Sequence, residues 1–177
     1  MELVPTQHGA IFRVTFSENV GANEAKRVCF REATWRDAGT SSDGHPSIKG
    51  INYRVGQDRI RVKNFAMHAH AEATLIDTSG GSLTVESMGN QLACFTATGS
   101  RHGGVIMDVR IATSLISSDQ AALNMRREVA HDVSFEVLKQ RAKDGWNGLL
   151  RRVDVVNPGP ISEYASKHLS VFYTGMA

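Results

Sequence analysis

His68, His70 and Glu72 stand two residues apart in the run His68-Ala69-His70-Ala71-Glu72, the strongest chemical constellation in the chain. Successive side chains of a strand point to opposite faces, so on a strand all three share one face. Two imidazoles and a carboxylate in that arrangement could grip a divalent cation, given a further ligand such as His102. The plainer reading is a solvated strand face backed by buried Phe65, Met67 and Ala69, because an antiparallel sheet commonly keeps one face wet. No tight metal site is therefore expected. Trp35 and Trp146 raise a second idea, since an indole ring packs against the apolar side of a sugar. Trp146 falls on a helical apolar stripe and is expected in the core, whereas Trp35 precedes a long polar loop. His68, His70, Glu72 and Trp35 are the candidate substrate-binding residues, and no catalytic residue is assigned.

Other catalytic patterns are missing. There is no GxSxG elbow, and neither cysteine adjoins a histidine or a glycine-rich turn. Gly99-Ser100-Arg101-His102-Gly103-Gly104 is rich in glycine but lies between strands and lacks the GK[ST] ending of a phosphate loop, so it reads as a hairpin loop. Glycoside chemistry needs two carboxylates across a cleft, a gap that sequence does not measure. Asp108, Asp119 and Asp132 read as strand-face and helix-cap residues.

The bulk properties narrow the function classes. Of 177 residues, 20 are basic and 18 acidic, and the surplus is one charge in residues 1–117 and one in 118–177. Basic residues cluster only as pairs such as Arg126-Arg127 and Arg151-Arg152, which is unlike a nucleic-acid surface. No run of about eighteen apolar residues exists, so no membrane-spanning helix is expected. Met1-Glu2-Leu3-Val4-Pro5 lacks the pattern of a signal peptide, and the compartment stays open. Cys29 and Cys94 are too few for a disulfide framework; lying in apolar runs, they are expected as a free buried pair rather than a bridge.

These residues must be positioned by a mainly β chain with C-terminal helices. Up to residue 117 apolar residues alternate, as in Phe12-Val14-Phe16, Val28-Phe30, Ile51-Tyr53-Val55, Ile60-Val62, Leu83-Val85 and Val105-Met107-Val109-Ile111. Turn sequences at Thr78–Gly81, Met88–Asn90 and Gly99–Gly104 punctuate them, which predicts an antiparallel β-sandwich over residues 1–117. Ala38–Pro46 reads as a surface loop. Linker helices fill 118–156. The first is capped from Ser117-Ser118-Asp119, and the second, capped by Asp132 or Ser134, carries an apolar stripe of Phe135, Leu138, Ala142, Trp146 and Leu149. Val153, Val155 and Val156 read as a short extended piece. Asn157-Pro158-Gly159-Pro160 breaks the chain. A third helix then shows Ile161, Ala165, Leu169, Phe172 and Met176 on one side, and its stripe could mediate a homo-oligomer.

The stretch Val109-Arg110-Ile111-Ala112-Thr113-Ser114-Leu115-Ile116-Ser117-Ser118-Asp119-Gln120-Ala121 resembles glycoside hydrolase family 92, the calcium-dependent exo-acting α-mannosidases. Phe135-Glu136 with Ala142, Trp146, Asn147 and Leu150 is similar to that family's second linker helix, and Arg152-Val153-Asp154-Val155 to the strand after it. Phe172-Tyr173-Thr174 resembles the opening of the catalytic helical barrel. Phe12–Phe16 and Lys49-Gly50-Ile51 resemble sandwich strands more weakly, and Gly175-Met176-Ala177 departs from the family's Ala-Leu continuation.

The resemblance implies that residues 157–177 begin a truncated helical domain, with the general acid, general base and calcium ligands beyond Ala177. It implies that the parent enzyme hydrolyses terminal α-mannosides with inversion and is secreted or on the cell surface. This chain would then be its non-catalytic N-terminal portion, holding no cofactor and partnered by the catalytic domain. A stand-alone carbohydrate-binding sandwich and a structural jelly-roll subunit are the alternatives.

Overall fold

The computed structural model describes residues 1–17, 25–31, 34–53, 66–76, 81–87, 92–98, 104–150 and 171. Among the described residues nine strands precede two helices: β1 (Glu2–Pro5), β2 (Gly9–Phe16), β3 (Lys26–Arg31), β4 (Thr34–Thr40), β5 (Pro46–Tyr53), β6 (Ala66–Ile76), β7 (Ser82–Ser87), β8 (Leu92–Thr98), β9 (Val105–Ser114), α1 (Ser118–Glu128) and α2 (Phe135–Leu150). The strands form a six-stranded sheet in the order β1-β2-β9-β6-β5-β4 and a three-stranded sheet in the order β3-β8-β7, and every pairing is antiparallel. The expected mainly β architecture with C-terminal helices is the one observed. Among the described residues no helix is long and apolar enough to cross a membrane.

Period-2 alternation decides which side chains enter the sandwich. Ala71 and Ala73 of β6, Met107 and Val109 of β9 and Ile48 of β5 turn one way and form a cluster with Ala93, Phe95 and Ala97 of β8. Phe30 meets Phe95 edge to face, with ring centroids 6.1 Å apart. Burial at roughly 25 cal/mol per Å² of apolar surface drives this layer.

The opposite face of the large sheet is covered by helices. Val4 and Ile11 from the sheet, Met125 and Val129 near the end of α1, and Phe135 and Leu138 of α2 make a second apolar cluster. Ser117 caps α1 as expected, its hydroxyl accepting the Gln120 N–H at 3.0 Å. Buried Asn124 ties α1 to β9 by donating to the Thr113 carbonyl at 3.0 Å. The Ser134 hydroxyl accepts the Val137 N–H at 3.4 Å at the start of α2.

Contacts divide the chain into one compact unit, Met1–Ala142, and a second, Lys143–Ala177. The stripe of α2 is accordingly buried only at its start. Phe135 and Leu138 are core, but Trp146 is 53% exposed and Leu149 45% exposed, so Trp146 is not the core residue its spacing predicts. A helical repeat identifies an apolar face and does not say how far along the helix something covers it.

Other expectations change as well. Cys29 and Cys94 are bridged. They are directly opposed partners on β3 and β8, with Cα atoms 4.0 Å apart, so register brings the thiols together across 65 residues of sequence. The expected loop at 38–46 shrinks to a turn at 41–45, because Ala38–Thr40 completes β4 past a register shift between Arg36 and Ala38, and Pro46 opens β5. Gly44 sits in that turn at φ 80°, a conformation that favours glycine. The runs at Ile60-Val62 and Val153–Val156, the glycine-rich loop with His102, and the breaker at 157–160 lie outside the described residues; so does the third helix except Val171.

Candidate functional site

The register that builds the sandwich also assembles a charged layer on its other face. Across β6 and β9, Glu72 lies opposite Arg110, Thr74 opposite Asp108, His70 opposite Ala112 and His68 opposite Ser114. On the far side of β9, Asp108 lies opposite Arg13 of β2. The strand therefore does carry His68, His70 and Glu72 on one face, but that face is not wet. His70 and Glu72 are buried beneath the helices, together with Asp108 and Arg110. Alternation had predicted the shared face; the helical cover comes from residues about fifty positions later.

Glu72 is the hub. His70 Nε2 lies 2.6 Å from its Oε1, and His131, in the connection between the helices, places Nε2 on its Oε2. An ionised carboxylate only accepts hydrogen bonds, so each Nε2 carries the proton and donates. The two Nδ1 atoms are buried without a hydrogen-bond partner. Burial pushes the Glu72 carboxyl up, yet the hydrogen bonds and electrostatic pull of the N–H groups of His70 and His131 outweigh it and hold Glu72 below the ordinary carboxylate value. His131 moves down: burial disfavours its charged form, His45 and Arg110 add to the effect, and Glu72 opposes it. The network thus favours the carboxylate form of Glu72 and the neutral form of His131.

Two cations balance the buried acids. Arg13 grips Asp108 in a bidentate pair, Nε to Oδ1 at 2.8 Å and Nη2 to Oδ2 at 2.9 Å, and its guanidinium lies 4.3 Å from the centre of the Phe135 ring. Asp108 raises the Arg13 pKa further above its already high value. Arg110 donates to Thr74 Oγ1 at 2.7 Å and to the Val133 carbonyl at 3.3 Å, while burial pulls it down against Asp108 and Glu72. At the rim, Glu128 accepts the His8 N–H at 2.8 Å and fastens the end of α1 to the β1–β2 turn.

His45, from the turn between β4 and β5, stacks on His131 with ring centroids 3.8 Å apart and planes 18° apart. Beside this stack is a pocket of about 320 Å³ lined by residues that include Asp43, Glu72, Met125, Arg126, His131 and Asp132. Glu72 thus reaches both the buried network and a cavity. Trp35 lies on β4 opposite Gly50, away from this register, and its side chain is outside the described residues. Sequence reasoning missed His45, His131, Asp108 and Arg110, whose types signal chemistry but whose positions are set by long-range pairing.

Among the described residues no group of three or more His, Cys, Asp or Glu is arranged to hold a metal. Calcium takes six to eight oxygen ligands. The groups bonded to Glu72 are the imidazoles of His70 and His131 rather than oxygen ligands, so its carboxylate as placed does not provide a calcium shell.

No protein-family model matches the sequence, and no curated protein matches it. Solved structures do. An inverting mannosidase of family GH92 from Bacteroides thetaiotaomicron VPI-5482 is 22% identical, with a TM-score of 0.61 over 89% of this chain and 21% of that one. A GH92 α-mannosidase from Bacteroides thetaiotaomicron, solved with mannoimidazole, is 16% identical, with a TM-score of 0.59 over 87% of this chain and 21% of its own. A third GH92 glycosyl hydrolase gives 16% identity and a TM-score of 0.60 over 87% and 21%. The chain spans about a fifth of the length of these enzymes, and the sequence resemblance to family 92 holds at the level of the fold: this is the fold of one portion of a GH92 mannosidase.

Proposed function

We propose that the chain is the accessory β-sandwich of a glycoside hydrolase that acts on terminal α-mannosides, and that it contributes structure rather than catalytic carboxylates. The observation carrying this reading is the fold match, which takes in nearly all of this chain and about a fifth of each mannosidase. The buried acids support it. Glycoside hydrolysis needs one carboxyl to give a proton to the leaving oxygen and another to act on the opposite side of the sugar. Glu72 is bonded to two imidazoles and Asp108 to a bidentate guanidinium, so both are engaged in holding the fold rather than set across a cleft as an acid–base pair. Calcium and the acid–base pair belong, on this reading, to the remainder of the enzyme, which is also the partner of this chain.

The test is direct. The purified chain incubated with an aryl α-mannoside should release no aglycone above the uncatalysed rate, and adding calcium should change nothing. Turnover that survives repeated purification and disappears in Glu72→Gln would overturn the proposal.

A further inference from the structure

The stacked imidazoles join two connections that are far apart in sequence. His45 belongs to a tight turn in which Ser41 N–H donates to the His45 carbonyl at 2.7 Å and Gly44 N–H to the Ser41 carbonyl at 3.0 Å, so the turn is closed by its own hydrogen bonds. His131 belongs to the connection between α1 and α2, where Val133 N–H donates to the Ala130 carbonyl at 3.2 Å. Between these pieces the structure provides a ring stack, a bond from His131 to Glu72, and the pocket wall formed by Asp43, His131 and Asp132.

We propose that His45, His131 and Glu72 form a proton-operated clasp, which holds the 41–45 turn against the interhelical connection while His131 is neutral and releases it when His131 takes up a proton. Two neutral imidazoles stack without penalty. A single proton on His131 is tolerated by Glu72 beneath it but must sit at Nδ1, which is buried and has no acceptor. Bringing that charged nitrogen to water requires the ring stacked on it to withdraw, and the turn is the piece that leaves because Glu72 keeps its bond to His131.

The surroundings set the sign. Glu72 and His70 face the stack from β6, Arg110 from β9, and Lys49 of β5 lies opposite His70 in register. Arg126 of α1, Asp43 and Asp132 line the pocket together with His131. Glu72 favours a cation at His131, while Arg110 and His45 disfavour it. The net direction is below the ordinary imidazole value of 6.5, so the clasp stays closed at neutral pH and opens on the acid side. Opening widens the pocket, since Asp43 leaves with the turn.

Imidazole-labelled NMR of the full chain tests this. At about pH 7.5 the two rings should show a mutual NOE, lost by about pH 5 while amide signals of β6 and β9 persist. His45→Phe keeps a stacked aromatic ring, and one whose face attracts a cation. In that variant the contact to His131 should survive at about pH 5, and the His131 midpoint should rise. A wild-type NOE that persists in acid, or a His131 titration unmoved by His45→Phe, would overturn the clasp.

Discussion

Val109 and Arg110 are neighbours in β9 but serve layers of opposite chemistry: Val109 pairs with Ala73 and joins Phe95 in the sandwich, while Arg110 lies opposite Glu72 beneath the helices. The sandwich face is held by non-directional apolar burial, which depends on volume and is indifferent to protons. The helix face buries Glu72, Asp108, Arg110 and His70 beside an apolar patch from Val4 to Leu138. Burying charge costs solvation that an apolar layer never loses, and the cost is recovered only where each group meets its partner. The first layer stabilises the sheet, and the second fixes where the helices and their connection sit on it and makes that seat responsive to pH.

The largest expected effect falls on the sandwich side. Phe95→Ala removes a fully buried ring facing Ala71, Ala73 and Val109 and should cost about 4 kcal/mol in urea unfolding. Removing the bridge by Cys29→Ala with Cys94→Ala should cost roughly 3 kcal/mol, measured the same way, because the open chain regains the freedom of a long loop. On the helix side, Glu72→Gln leaves one carbonyl oxygen for two imidazole donors and should cost about 2 kcal/mol at neutral pH. A loss from Glu72→Gln as large as that from Phe95→Ala would erase the distinction between the layers in strength, though not in kind.

Much of this was legible beforehand. Alternation placed Phe12, Val109 and their neighbours on strands, Ser117 announced the start of α1, and His68, His70 and Glu72 shared a face. Other features were not. β8 reads Leu-Ala-Cys-Phe-Thr-Ala-Thr, with five consecutive buried residues and no alternation to expose it, and the Cys29–Cys94 bridge depended on placing that strand beside β3. β4 carries a register irregularity and small residues, so part of it passed for a loop. The site was half visible because periodicity reports which residues share a face but not what covers it. His45 and His131 reach Glu72 through a turn and a connection, where no periodic signal exists.

The difference in kind rests on His131. Its folded value lies below 6.5, so as pH falls the unfolded chain takes up the proton first. Stability is therefore full above about pH 6.5 and drains as pH drops toward the folded value, by at most about 1.4 kcal/mol per pH unit for one group. Glu72 acts lower: its value is held below 4.5, so its contribution is full above that value and is lost as pH falls through the folded value. Denaturant unfolding of the wild type, Phe95→Ala and His131→Gln between roughly pH 7.5 and pH 5 separates the layers most directly. The wild type and Phe95→Ala should lose stability in parallel as the solution is acidified, offset by a constant amount, while His131→Gln, which can still donate to Glu72 but cannot titrate, should stay flat. Three parallel curves would contradict the account, because the pH response would then belong to neither His131 nor the charged face it seals.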